Sequence, residues 1–250
     1  MMKLRFLGTG GSAGVPVIGC SCFVCSSSDQ KNHRLRQGAL LQEDNKYLLI
    51  DVPPDFREMA LRYSIPRIDA IFLTHGHEDH IGGLCDLQAY WTKYRKRIPV
   101  IVSQKTFRKV SNRFYYLLKL FHWILLDRDA GEIFICGWTV RYFTYEHGDS
   151  LVLGLRIKDF AYVTDIKMYR KDLLDQSLLG VKILALSALT IQSRFTMHFS
   201  VKEAVHFVQK ISSVDYCYLI HLGHEIDYRT MSQQLSSPMY LAYDGLEIVL

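Results

Sequence analysis

With 250 residues, 49% of them hydrophobic, the chain can fill a sizeable core, although its length alone does not separate one domain from two. No apolar run is long enough to span a bilayer, and Met1-Met2-Lys3-Leu4-Arg5-Phe6 enters a strand-like pattern with no signal-peptide core. A cytoplasmic protein with no membrane partner is therefore expected. The net charge of +5 is local: residues 91–126 hold nine Lys/Arg and no acid, against 21 Lys/Arg and 25 Asp/Glu elsewhere.

In chain order, residues 4–7 read as a first strand running into Gly8-Thr9-Gly10-Gly11-Ser12-Ala13-Gly14-Val15-Pro16. Such a glycine-rich loop can cradle phosphate with backbone amides, but it matches neither a Walker A nor a dinucleotide fingerprint. Close backbone packing beside a site is the simpler reading. Cys20-Ser21-Cys22-Phe23-Val24-Cys25 follows. Cys85, Cys136 and Cys217 stand singly in apolar surroundings and are expected as buried thiols, so no disulfide framework is implied. The thiol cluster needs a fourth ligand, and His224, in Ile220-His221-Leu222-Gly223-His224, can supply it. Three thiolates and one imidazole make a closed tetrahedral zinc site; a redox pair or a buried thiol cluster is the alternative.

Residues 38–42 and 46–51 read as a hairpin ending in Asp51, and 55–63 as a helix. Residues 70–73 form a short apolar strand. Residues 84–94 read as helical, 99–103 as a strand, and 104–120 as one or two helices. The pattern then restarts. Strands at 132–136, 139–145, 151–158 and 160–164 are followed by helices near 168–174 and 201–210, with strands at 181–186 and 216–220. Two successive β-then-α halves with no linker between them predict an α/β fold, a four-layer αββα sandwich, over residues 1–250 as one domain.

The chemistry centres on Thr74-His75-Gly76-His77-Glu78-Asp79-His80-Ile81-Gly82-Gly83, directly after the 70–73 strand. In an extended loop, His75 and His77 point to one side because side chains alternate with period two. Asp79 and His80 follow as the chain turns into a helix and can face a second centre. Imidazole and carboxylate suit Zn, Mn and Fe. Gly82-Gly83 would let backbone pass close to the site.

This run resembles the H-x-H-x-D-H signature of the metallo-β-lactamase superfamily, whose fold is an αββα sandwich with metals at one edge. The resemblance implies a second-half His, a bridging acid and a further His at strand ends, which His147, Asp165 and His221 match. It implies that His75, His77 and His147 hold one divalent metal, Asp79, His80 and His221 a second, and that Asp165 bridges them. It also gives Asp51 the task of orienting the ligand loop; a solvated strand-end carboxylate is the plain alternative. A water between two divalent cations about 3.5–4 Å apart becomes a nucleophile near neutral pH.

The Cys cluster paired with His-x-x-His resembles the cyclic-phosphate phosphodiesterase branch, over essentially the whole chain, as far as Asp244-Gly245-Leu246-Glu247-Ile248. That branch implies two active-site metals (Zn or Mn), one structural Zn, and a general acid matched here by His198 in Met197-His198-Phe199-Ser200. Ser187-Ala188-Leu189-Thr190 departs from the branch where relatives carry an amide or acid and an Arg. The expected catalytic residues are Asp79, Asp165 and His198, acting on a small cyclic ribose or nucleotide phosphodiester. A nuclease of the tRNA 3′-end type shares the ligands; the basic block with Tyr94, Phe107, Phe114, Tyr115 and Tyr116 is the feature favouring nucleic acid as a partner. Glyoxalase-type thioester hydrolysis would need neither the thiol cluster nor His198. A metal-stabilised scaffold would not need a full ligand set. A homodimer is compatible with the chain. His33, His122 and His206 have no assigned role.

Overall fold

A computed structural model describes residues 1–193 and 197–250. Its first sheet contains β1 (Lys3–Gly8), β2 (Gly38–Glu43), β3 (Lys46–Ile50), β4 (Ala70–Phe72), β5 (Ile98–Ser103) and β6 (Phe121–Leu126). The second contains β7 (Ala130–Ile135), β8 (Trp138–His147), β9 (Ser150–Ile157), β10 (Phe160–Val163), β11 (Ile183–Ser187), β12 (Tyr216–Ile220) and β13 (Met239–Leu241). The last strand, β14 (Glu247–Val249), returns to the first sheet and pairs antiparallel with β1. Each sheet has seven strands, in orders 14-1-2-3-4-5-6 and 13-12-11-10-9-8-7.

Three stacked hydrophobic cores make the four layers. The middle one draws Leu4, Phe6, Leu41 and Phe72 from the first sheet and Val140, Leu155, Tyr162 and Ile220 from the second. The outer face of the first sheet packs α1 (Phe56–Arg62), α2 (Glu78–Ile81), α3 (Gln88–Tyr94) and α4 (Gln104–Arg113) around Leu49, Ile71 and Val100. The outer face of the second sheet packs α5 (Lys171–Leu178), α6 (Val201–Val208) and α7 (Tyr228–Gln234) around Leu184, Leu186 and Leu219. The expected αββα sandwich is therefore present. Helix α6 starts on a capping box: Glu203 N donates to Ser200 Oγ, and the Glu203 carboxylate accepts from Ser200 N at 2.8 Å.

Several boundaries differ from expectation. The helical stretch at 104–120 stops at Arg113 and continues as a 3-10 turn at Tyr115–Leu120, and 84–94 likewise splits into a 3-10 turn and α3. The apolar run then carries straight on into β6, with no Gly or Pro to mark the change of period. Cys85 is exposed and Cys136 half-buried, so only Cys217 of the three is the buried thiol expected. Both simply lie at positions where the local apolar run is not the buried face. Gly82 packs against Glu78 of the ligand run and against Pro54, and Gly83 against the loop before α1. A Cβ on Gly83 would lie 2.1 Å from Pro53 O, so the close approach is to the loop before α1.

Candidate metal centre

The site sits where strands of both sheets end. Asp51 follows β3, Asp165 comes two residues after β10, and His221 follows β12; all three have positive φ, of 60°, 50° and 57°. Left-handed backbone costs a non-glycine residue on the order of 1–3 kcal/mol and persists only where surroundings impose it. Those surroundings are visible: Asp51 N donates to Phe72 O at 3.0 Å, and His221 N donates to the Gln37 side-chain oxygen at 2.9 Å.

Asp51 is no solvated carboxylate. Fully buried, it accepts from Thr74 N and Thr74 Oγ1, both at 2.8 Å, and from His80 Nδ1 at 2.6 Å. It thereby fixes the start of the ligand loop and the ring of His80. With its Nδ1 committed, His80 presents Nε2 inward, 3.1 Å from Asp165 Oδ2. His147 is held in the same way, Nδ1 donating to Met197 O at 2.8 Å and Nε2 lying 3.9 Å from Asp165 Oδ1. His75 Nδ1 lies 3.1 Å from Thr74 Oγ1, and that hydroxyl's proton goes to Asp51, so it accepts from the imidazole. Outer nitrogens held and inner nitrogens free is the pattern of metal-binding histidines.

The sets expected from sequence come together. Ligand atoms of His75, His77 and His147 lie within 4.8 Å of one another, as do those of Asp79, His80 and His221. Asp165 stands between them, Oδ2 towards His80 and Oδ1 towards His221 Nε2 (3.3 Å) and His198 Nδ1 (3.2 Å). His198 was expected beside the ligands; it stacks on His221 with ring centroids 5.2 Å apart and so lies within the cluster itself.

The donor chemistry fits cations. His75 Nε2, His80 Nε2, His198 Nδ1 and both nitrogens of His221 are buried with no hydrogen-bond partner among the described residues, an arrangement that is costly unless something binds there. Burial pushes the carboxyls of Asp79 and Asp165 up, but the adjoining His80 and His221 outweigh it and hold both well below the usual carboxylate range. Burial pushes His75 well down, keeping it neutral as a ligand must be. For His80, burial acts downward, yet Asp79, Asp51 and Asp165 raise it well above its ordinary value. The same anionic field favours a divalent cation.

The thiol cluster also closes. His224 Nδ1 lies 3.4 Å from Cys20 Sγ and 3.6 Å from both Cys22 Sγ and Cys25 Sγ. Cys25 N donates to Cys22 Sγ at 3.4 Å and draws that thiol down to about 6, whereas burial pushes Cys25 up to about 11. Cys22 is thus more disposed to ionise than Cys25.

Sequence reading missed several supporting residues. Arg34, 2% exposed, donates to Gly223 O at 3.0 Å and Ile226 O at 2.6 Å, bracing both sides of His224. Burial lowers it to about 10. Gln37, Ser150 and Lys109 also touch the centre, and only Lys109 left a trace in sequence, as one member of an i, i+4, i+8 basic series. The glycine-rich loop is a packing device, as favoured. A Cβ on Gly8 would meet Arg36 O at 2.1 Å, and one on Gly11 would meet Leu189 Cδ1 at 2.7 Å and His221 at 3.5 Å. Beyond Gly11 opens a cavity of about 260 Å³, bounded by Gly14, Leu189, Thr190, Glu225 and the tetrad's own His224.

Residues 46–222 match the β-lactamase superfamily domain. A crystal structure described as a new diphosphatase from the PhnP family is 35% identical, with TM-score 0.92 over 100% of this chain and 98% of that one. Zinc-bound PqqB from Methylobacterium extorquens shares the fold at TM-score 0.82 and 17% identity, over 99% and 100% of the two chains. Human short-form tRNase Z shares it at 0.72 and 18%, over 99% and 98%. An octanoyltransferase of Porphyromonas gingivalis is 30% identical across 100% of this chain but only 52% of its own length, so the chain spans about half of that relative. With the domain match covering most of the chain and 35% identity running from end to end, the chain belongs to the metallo-β-lactamase superfamily of metal-dependent hydrolases, within its PhnP family.

Proposed function

We propose that this protein hydrolyses small phosphodiesters, cyclic ribose or nucleotide phosphates foremost, over a dinuclear metal centre. The observation that carries this reading is Asp165. Its carboxylate lies among ligand atoms of both sets, with His75 and His147 of the one and His80 and His221 of the other, and His198 Nδ1 stands 3.2 Å from its Oδ1. His75, His77 and His147 would hold one divalent cation (Zn or Mn), Asp79, His80 and His221 the other, with Asp165 between. Such a pair, when bound, supplies Lewis acidity that acidifies water and withdraws charge from phosphoryl oxygens. The chain does the rest. Asp51 and Met197 O keep the rings of His80 and His147 aimed, and His198 stacks on the His221 ring. His198 Nδ1 faces Asp165, so Nε2 is the atom that delivers a proton to the departing oxygen. The cavity beyond Gly11 is the room for the substrate's non-phosphoryl part.

The 35%-identical relative described as a diphosphatase supports phosphoryl substrates and adds anhydrides to those worth testing. A second reading, cleavage of tRNA precursors, is favoured by the basic block at residues 91–126, where Arg95 also lies over the Trp91 ring at 5.1 Å. A turnover panel separates them: cyclic nucleotide, cyclic ribose phosphate, aryl diester, nucleoside diphosphate, tRNA precursor and a glutathione thioester. The cyclic diesters are expected to lead. Efficient cleavage of the precursor, with the cyclic diesters inert, would reverse the ranking.

Three metals per chain are expected, with zinc in the thiol tetrad surviving mild chelation that empties the open pair. Structural zinc in zinc-finger peptides contributes about 10 kcal/mol or more to folding. Elemental analysis before and after chelation checks this; one metal or fewer in fully folded, never-chelated protein contradicts it.

A further inference from the structure

Lys105, Lys109 and Arg113 recur every four residues and so share one face of α4. Each meets a loop that carries candidate ligands. Lys105 donates to Asp149 O, and Lys109 Nζ donates to Ser150 Oγ at 3.1 Å, both in the turn just after His147. Arg113 pairs with Glu78, next to His77, at 2.7 Å. The stem of Lys109 also lies across Gly76, between His75 and His77: a Cβ there would sit 2.9 Å from Lys109 Cδ. The middle of the stripe therefore touches both loops at once.

Ser150, 4% exposed, is the junction. Its Oγ lies 3.1 Å from Lys109 Nζ, 3.0 Å from His77 Nε2 and 3.4 Å from Asp149 Oδ1. A hydroxyl has one proton and two lone pairs. An ammonium can only donate, so Lys109 occupies one lone pair. A carboxylate can only accept, so Asp149 takes the proton. The remaining lone pair accepts from His77 Nε2–H, which leaves Nδ1 as the unprotonated nitrogen. Unlike its neighbours, His77 would then coordinate through Nδ1.

We propose that the basic stripe of α4 is a positioning device for the metal centre: through Ser150 it fixes His77 as the Nε2–H tautomer and clamps the two loops that bear His75, His77 and His147. The inference rests on the metal reading of that cluster. It also gives part of the basic block a task other than gripping nucleic acid.

Removing a positioning partner of a metal ligand typically costs about 10–100-fold in affinity. Ser150→Ala and Lys109→Met are compared with the parent by chelator competition for Zn and Mn, in full-length protein with the thiol tetrad loaded. Both variants are expected to bind the His75/His77/His147 cation more weakly, Ser150→Ala by about 10–100-fold. Lys109→Met separates positioning from charge. Deleting a nearby positive charge should by Coulomb's law tighten cation binding, so weaker binding identifies a geometric role. Side-chain 15N shifts of His77 before loading should show a pyrrole-type Nε2 in the parent and a tautomer mixture in Ser150→Ala. Parental affinity in either variant, or tighter binding in Lys109→Met, overturns the proposal. If the parent itself binds nothing at this cluster, the metal reading fails instead.

Discussion

His198→Ala is expected to lower kcat/KM for a cyclic nucleotide by about 10²–10⁴ while slowing an aryl phosphodiester only modestly. A general acid matters in proportion to how badly the leaving group needs a proton. A ribose alkoxide needs one; a nitrophenolate departs largely unaided. Attack on phosphorus is common to both substrates, so a difference between them isolates the proton. The structure adds a complication that metal analysis must settle. His198 Nδ1 lies as near to Asp165 as the ligand candidates His80 and His221 do, at 3.2 Å against 3.1 and 3.3 Å. Equal losses on both substrates with metals retained would make His198 a phosphate-positioning group. Loss of a metal would make it a ligand.

His224→Ala should act first on stability. Residues 20–25 belong to a small satellite cluster of Val15, Val24 and Cys25, with Val17, Cys20 and Cys22 at its edge, apart from the three main cores. Little apolar burial holds that loop, so the tetrad must. Each kcal/mol lost lowers Tm by about 2–4 °C in a chain of this size, and one zinc ligand should account for several degrees or more. Turnover should decline less. His221 keeps its own supports, with Gln37 on its backbone N–H and Leu222 N donating to Thr9 O at 2.8 Å. A variant that melts like the parent and keeps its zinc would mean that the thiols have another fourth ligand.

The layering was legible because it is punctuated, and the cluster because H-x-H-x-D-H resembles a known signature whose further ligands the resemblance implies at strand ends. Each half repeats strands then helices, and His75, His147, Asp165 and His221 fall where apolar runs stop. The αββα arrangement needed only that alternation to be counted. Elements without punctuation escaped. Phe121–Leu126 continues an apolar helix without a break, and β14 is three residues long, recognisable only once Glu247 is seen against Lys3 and Arg5 (2.7 Å to each). The left-handed backbone at Asp51, Asp165 and His221 leaves only a faint sequence mark, because Asp and His adopt it more readily than most residues yet do so at few of their positions. Ser150 and Gln37 are anonymous polar residues until the meeting of the two sheets places them beside His77 and His221. For Lys109 the spacing was visible, but its partner lies 41 residues further on.

The thiol tetrad joins Cys25 to a histidine 199 residues later. On the ribosome the three thiols emerge about 199 residues before the imidazole, and the Cys-x-Cys-x-x-Cys segment lacks that partner throughout the interval. During that interval the segment is open to oxidation and to capture by stray soft metals. A zinc ion held by the tetrad would therefore be a late-closing link, fixed only after β12 has been made.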